Sequence, residues 1–265
     1  MKVLKNYQKK LRFKNYSERT IETYVCYLDK FLKEENTKDP HQVTTNQIVS
    51  YLENKTYSSS SQQNQIIGSL KLFAKCILGK KEIHLSKIER PRKEKKLPRI
   101  IDAEILAEKI KFIPNLKHKS ILALGLSCGL RISEVVNLKW EHLDRKEGIL
   151  KVVNGKGKKD RNVDLNENMI RLLTEYWKEF KSKEYVFNGQ FRNQYSTSSI
   201  QNIVKKYIHP KASFHLLRHS FGTFAIDSGV PLPILSDAMG HESGKTTETY
   251  IHLSKKSIKQ MKQAI

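Results

Sequence analysis

The sequence predicts a mainly α-helical protein with one small antiparallel β-sheet, divided into two domains. Three observations carry this reading. Apolar residues recur at helical spacing along most of the chain. One stretch, residues 140–165, reads instead as three short strand-like segments. A basic, proline-bearing stretch at 86–99 interrupts a chain of 265 residues, long for one compact core.

The first domain, residues 1–85, is expected to be entirely helical. Val3, Leu4, Tyr7 and Leu11 mark one amphipathic helix. Ser17 is an N-cap candidate for a second, running to about Glu34 with Ile21, Tyr24, Leu28, Phe31 and Leu32 on one face. Thr44 or Thr45 caps a shorter helix carrying Ile48, Tyr51 and Leu52. The run S-S-S-S-Q-Q-N-Q opens a fourth, with Ile66, Ile67, Leu70, Phe73, Ala74 and Ile77, and Gly79 ends it. The segment 86–99, S-K-I-E-R-P-R-K-E-K-K-L-P-R, cannot be regular helix, because Pro91 and Pro98 remove donors and fix φ. It reads as a basic interdomain linker.

The second domain, residues 100–265, opens with Asp102 capping a helix through Ile110. The apolar run I-L-A-L-G-L-S-C-G-L makes a second helix up to Gly129, and a short one follows with Val135, Val136 and Leu138. Strands are expected at 140–144, 149–154 and 161–165, the last two joined by the flexible basic finger G-K-G-K-K. A helix then carries Met169, Leu173, Tyr176 and Phe180, and another spans 197–207 behind a Ser196 cap. Gly229 stops the helix that begins near His215, and Pro231 starts a short one ending at Gly240. A basic terminal helix with Ile258, Met261 and Ile265 follows Ser254.

Charge narrows the partner. Forty-nine Lys and Arg oppose 27 Asp and Glu, a formal net charge of +22. Such an excess favours a polyanion through counterion release. An anionic membrane surface is the competitor, but no basic amphipathic anchor or lipidation motif supports it. No apolar run approaches the ~20 residues of a membrane span, and the first ten residues lack the apolar core of a secretory signal. The expected setting is cytoplasmic, at the nucleoid. Cys26, Cys76 and Cys128 are isolated, which excludes a C-x-x-C zinc site or disulfide framework and predicts three buried small hydrophobes.

The chemistry concentrates between His215 and Tyr250. His215 and Arg218, three apart, share a helix face. His241 follows a glycine that can end a helix, and Tyr250 follows a short polar segment expected to act as a mobile tether. Phosphodiester cleavage needs charge stabilisation, a nucleophile and a proton for the leaving oxygen. Arg131 and Arg218 can each meet phosphate with a planar fork. Tyr250 can attack, with His215 and His241 sharing proton and hydrogen-bond duties. Lys156, on the basic finger, can protonate the leaving 5′ oxygen. The carboxylates do not cluster as two-metal nucleases need, and the histidine spacings fit no zinc pattern, so neither metal nor cofactor is expected.

Together, C-G-L-R-I-S-E-V around Arg131, H-L-L-R-H-S-F-G-T from His215, M-G-H ending at His241 and T-Y-I-H around Tyr250 resemble the tyrosine recombinase (phage integrase) family. The resemblance covers the whole second domain, and the first resembles that family's helical core-binding (SAM-like) domain. It implies a C-shaped clamp on double-stranded DNA at a specific core site. It also implies a transient 3′-phosphotyrosine at Tyr250 and strand exchange through a Holliday junction in a tetramer. Neither ATP nor metal is implied. Carried over, Arg131 and Arg218 bind the scissile phosphate, Lys156 is the general acid and His215 the base and phosphate ligand. His241 is a further donor, Tyr250 the nucleophile and Glu134 a supporting acidic residue. His219 is expected to be a packed, satisfied histidine. Leu216 stands where many members carry Asp, and Met239 where Leu is commoner. The terminal helix is expected to dock onto a neighbouring subunit. The chain starts almost at the core-binding domain, which fits a Xer-type resolvase or a small mobile-element integrase. The alternatives are a type IB topoisomerase and a DNA-binding protein without catalysis.

Overall fold

The computed structural model describes residues 2–79, 89–91, 100–153, 160–190, 192–241 and 244–251. Lys156, the tip of the basic finger, most of the 86–99 segment and the expected terminal helix lie outside them. The chain divides into two compact units, Met1–Lys95 and Lys96–Ile265. Among the described residues, no helix is long and apolar enough to cross a membrane.

The first unit contains helices α1 (Lys2–Phe13), α2 (Glu18–Glu34), α3 (Thr45–Asn54) and α4 (Ser60–Cys76). Each start after the first is fixed by a side-chain oxygen that accepts an orphan backbone N–H. Ser17 takes Thr20, Thr44 takes Gln47 in a full capping box, and Ser59 takes Gln62. The apolar stripes of the four helices meet in one core. Tyr7, Leu11, Ile21, Leu28, Phe31, Ile48, Leu70 and Phe73 are fully enclosed there, each worth roughly 1.5–3 kcal/mol of burial. The Tyr7 hydroxyl donates to the Ser69 carbonyl at 2.8 Å, so the one polar atom this ring buries is satisfied. Of the three cysteines expected to be buried, Cys128 is buried, Cys76 is half-buried and Cys26 is exposed. Cys26 is the clear departure. It lies two residues before Leu28, on the outward side of α2.

The second unit adds α5 (Ala103–Lys111), α6 (Leu116–Ser127), α7 (Ile132–Val136), strands β1 (Leu143–Asp144), β2 (Ile149–Val152) and β3 (Arg161–Asp164), then α8 (Glu167–Phe180), α9 (Thr197–Tyr207), α10 (Phe214–Asp227), α11 (Leu232–Met239) and α12 (Gly244–Ile251). Apolar α6 is enclosed by its neighbours, burying Ile121, Leu122 and Leu124 completely. The sheet runs β1-β2-β3, antiparallel throughout. Its register pairs Leu150 with Val163 and Val152 with Arg161. Directly opposed residues share a face, so the face that buries Leu150, Val152 and Val163 also receives Arg161.

Two further expectations are corrected. Trp140 does not begin a strand: Trp140–His142 is a 3-10 turn and β1 holds only two residues. The turn forms because the Lys139 N–H donates to the His142 ring, while the Trp140 N–H donates to Glu184 and its indole to Ser182. The polar segment before Tyr250 is also not open tether over most of its length. Residues 244–251 form α12, packed on α10 and α11, and its inner face buries Thr247 and Tyr250.

Candidate active site

The site begins where α6 ends. Gly129 takes φ +58°, and a Cβ there would lie 2.5 Å from the Phe221 ring, so both conformation and space require glycine. The turn delivers Arg131 to the N-cap position of α7. Glu134, at the third helical position, folds its carboxylate back to accept the Arg131 N–H at 2.8 Å and Arg131 Nη1 at 2.7 Å. The R-I-S-E order thus makes a cap and a charged pair from the same two residues.

Sequence reasoning missed the next member. Arg161, the first residue of β3, points inward with its side chain 9% exposed. Its Nη1 and Nη2 donate to both Glu134 oxygens at 2.9 and 2.7 Å. The signal was present: in R-N-V-D-L the inward residues are Val163 and Leu165, so period-two alternation turns Arg161 inward as well. A buried charge at such a position needs a partner.

The end of α11 ties the arginines together. Its last turn presents three consecutive carbonyls, and each accepts from a different guanidinium. Arg161 Nε donates to Ala238 at 2.8 Å, Arg218 Nη2 to Met239 at 2.6 Å and Arg131 Nη2 to Gly240 at 2.5 Å. Helix C-termini carry partial negative charge, which suits this role. Gly240 closes the helix in the left-handed region at φ +61°, and a Cβ there would meet Arg161 Nη1 at 2.9 Å. Arg218 Nη1 reaches back to the Gly129 carbonyl.

The electrostatics are lopsided toward positive charge. Among the described residues, the cluster sets three guanidinium groups against one carboxylate. Burial pushes the Glu134 carboxyl up, but hydrogen bonds from Arg161 and Arg131 outweigh it and hold the group at about 2. Arg218 is 4% exposed. Burial and the nearby Arg131 charge lower it to about 10, still cationic at neutral pH.

Three histidines and the tyrosine flank the arginines. His215 is exposed at a cleft of about 560 Å³ whose lining includes His219, Lys211, Ser213 and Ile101. Surrounding protein, Arg218 and Arg131 keep it below the usual imidazole range. His241 Nδ1 lies 2.8 Å from the Thr247 hydroxyl, and Thr247 is buried. Burial and then Arg218 and Arg131 push His241 down to about 4. Tyr250 is 1% exposed, its ring nearly parallel to that of His241 with centroids 6.1 Å apart. Burial raises its phenol while Arg218 and Arg131 oppose the rise, so the hydroxyl is protonated at neutral pH. His219 is packed and has a partner, as expected, but the partner belongs to the site: its Nδ1 sits 3.2 Å from the Tyr250 hydroxyl. Burial, then His215 and Arg218, push His219 to about 4.

Arg131, Glu134, His215, Arg218, His241 and Tyr250 therefore converge on one region of the second unit, with Arg161, His219 and Thr247 added. Lys156 lies outside the described residues. Among those residues, no group of three or more His, Cys, Asp or Glu side chains is placed to hold a metal ion. A cationic, partly buried arginine set beside a phenol and neutral imidazoles can bind a phosphate group and attack it.

Comparison with known proteins identifies the architecture. Residues 94–257 match the Phage integrase family, and residues 3–83 match the Phage integrase, N-terminal SAM-like domain. The chain is 29% identical over 265 residues to tyrosine recombinase XerA of Pyrococcus horikoshii, covering 97% of this chain and 91% of the relative. It is 30% identical over 274 residues to a tyrosine recombinase of Pseudothermotoga lettingae, covering 95% and 94%. Its fold is similar to the crystal structure of XerH site-specific recombinase bound to a palindromic difH substrate. That similarity has a TM-score of 0.75 at 22% identity, over 97% of this chain and 82% of that one.

Proposed function

The chain belongs to the phage integrase family and is a tyrosine site-specific recombinase acting on DNA; from that premise we propose how its residues divide the chemistry. Arg131 and Arg218 clamp the non-bridging oxygens of the scissile phosphate. The observation that carries this is the charge imbalance: three guanidinium groups around one carboxylate leave a cationic surplus, which a phosphodiester and its more negative transition state neutralise. Tyr250 attacks phosphorus, forming a 3′-phosphotyrosyl bond as the bond to the 5′ oxygen breaks. His215, at the cleft, is phosphate ligand and proton acceptor. His241, neutral and held through Nδ1 by Thr247, offers its other nitrogen as a donor to the phosphate. Glu134 and Arg161 hold the arginine pair in place.

Lys156 is the general acid that protonates the leaving 5′ oxygen. Support comes from the sequence itself: Lys156 lies on the basic finger, five residues before Arg161 of the cluster. Neither metal nor nucleotide cofactor enters this scheme, because the phosphotyrosyl bond conserves the energy of the cut strand.

The proposed domain plan is a core-binding domain at 1–85, a basic linker at 86–99 and a catalytic domain at 100–265. The partner is double-stranded DNA at a short core site, and the setting cytoplasmic and nucleoid-associated. Four copies assemble in a synapse and exchange strands through a Holliday junction, with residues 254–265 docking in trans. Chromosome-dimer resolution and mobile-element integration are both compatible with this chemistry.

The deciding experiment selects the DNA site from a genomic library and nicks it to make a suicide substrate. Wild-type protein is expected to form a covalent protein–DNA adduct through Tyr250, with binding that weakens steeply as salt rises. Absence of any adduct would sink the proposal. Plasmid relaxation independent of site, without recombinant products, would redirect it to a topoisomerase. Removing residues 255–265 is expected to spare cleavage and abolish synapsis.

A further inference from the structure

We propose that His219 and Gly222 form a seat for the attacking tyrosine: His219 is a positioning residue that fixes the Tyr250 hydroxyl, and Gly222 is the gap that admits its ring. This rests on the reading of Tyr250 as nucleophile.

Three observations converge. Residues 215, 219 and 222 follow one another at helical spacing on α10, so they share a face. On that face His219 Nδ1 lies 3.2 Å from Tyr250 Oη, with the two rings 5.7 Å apart and tilted by 53°. At Gly222 a Cβ would stand 2.8, 2.9 and 2.9 Å from Cζ, Cε1 and Cε2 of Tyr250. No rigid aromatic ring buried at 1% exposure can yield that much in place. Glycine inside a helix costs about 1 kcal/mol relative to alanine. Gly222 is buried mid-helix without a positive φ, so room for this ring is what offsets that cost.

Arg131 and Arg218 each direct two of their five N–H donors at Glu134 and at the carbonyls of Gly240, Gly129 and Met239, which leaves others for a phosphate. Among the described residues, the side chain within hydrogen-bond distance of the Tyr250 hydroxyl is His219, so the imidazole orients it. His219 is neutral at pH 7, since burial, then His215 and Arg218, disfavour its charged form. A neutral ring with hydrogen on Nε2 accepts the phenol O–H at Nδ1 and points the oxygen's lone pairs away from α10. Displacing a reacting atom by about 1 Å can cost about 10²-fold in rate.

The test is single-turnover adduct formation on the nicked site recovered with wild-type protein. His219→Ala is expected to slow it about 10²-fold while DNA affinity stays within about twofold. His219→Asn, whose amide reaches the Nδ1 position, is expected to recover at least about tenfold of that loss. Gly222→Ala is expected to slow the step comparably to His219→Ala. A substrate with sulfur replacing the bridging 5′ oxygen needs no proton on departure, and it is expected to leave the His219→Ala deficit relative to wild type unchanged. The proposal is overturned if His219→Ala matches wild type. It is overturned if Ala and Asn are equally slow and both lower Tm, which marks a structural role. It is also overturned if the sulfur substrate restores His219→Ala to the wild-type rate. If wild type itself forms no adduct, the nucleophile reading falls and takes this seat with it.

Discussion

Tyr7 and Tyr250 are both sealed from solvent, at 0% and 1% exposure. Burial raises the phenol of each. They differ in what meets the hydroxyl. Tyr7 donates to a backbone carbonyl, which can neither take its proton nor change charge. Tyr250 faces an imidazole, with two arginines near enough to favour the phenolate. The first arrangement locks helix α1 to α4; the second leaves a route to a nucleophile. Burial alone does not separate a structural tyrosine from the proposed nucleophile. The partner of the oxygen does.

The largest expected contrast tests that statement directly. Tyr250→Phe should abolish the covalent adduct and leave DNA affinity within about twofold, as read by denaturing gel and by titration. Tyr7→Phe should form the adduct at the wild-type rate. Next in size is the clamp. Arg218→Ala is expected to slow single-turnover cleavage by about 10²–10³-fold, because no other fork in the described cluster replaces it. Arg161→Gln should lower stability by roughly 3 kcal/mol in denaturant unfolding, since it leaves a buried carboxylate with one partner instead of two. It should slow cleavage as well, through misplacement of Arg131.

Acid should separate the two regions. The Glu134 carboxyl is held at about 2 against an ordinary 4.5. A depressed acid contributes stability above its unfolded value and loses it as pH falls, here between about 4.5 and 2, a contribution of about 3 kcal/mol. His219 and His241 act in the same direction at higher pH. Held at about 4 against 6.5, they refuse protons that the unfolded chain accepts, so stability falls as pH drops from about 6.5 toward 4. Both tryptophans, Trp140 and Trp177, belong to the second unit. Tryptophan fluorescence should therefore show acid unfolding of that unit, and Glu134→Gln should flatten the lower part of the profile. The smallest effect is the stability cost of Tyr7→Phe, about 1 kcal/mol for one buried hydrogen bond.

What the sequence revealed follows from which interactions are local. Ser17, Thr44, Asp102 and Ser196 were legible as caps because the bonds they make lie two or three residues away. Arg131, His215, Arg218, His241 and Tyr250 were legible as members of one cluster because their residue types and order match a motif. Arg161 was passed over as one more basic residue in a chain full of them, although its inward strand position marked it. His219 was discounted beside His215, although the spacing that paired His215 with Arg218 brings it to the same side of α10. Cys26 and the short β1 were misjudged where local pattern competed with packing. Glu134 was legible as an acidic partner, but the other acceptors for the arginines were not, since backbone carbonyls leave no trace in residue type.

Anchoring on carbonyls constrains how such a chain can change over generations. The anchors of Arg161, Arg218 and Arg131 are the carbonyls of residues 238, 239 and 240. Replacing a side chain does not delete a carbonyl, so Ala238 and Met239 are free to drift within the limits of packing. Only position 240 is pinned, by its φ and by Arg161 against it. Deleting or inserting one residue in the last turn of α11 would instead shift all three anchors at once. Lineages of this protein should accumulate substitutions here and almost no length changes, whereas length can vary near Gly229, where a Cβ would meet nothing within 4 Å.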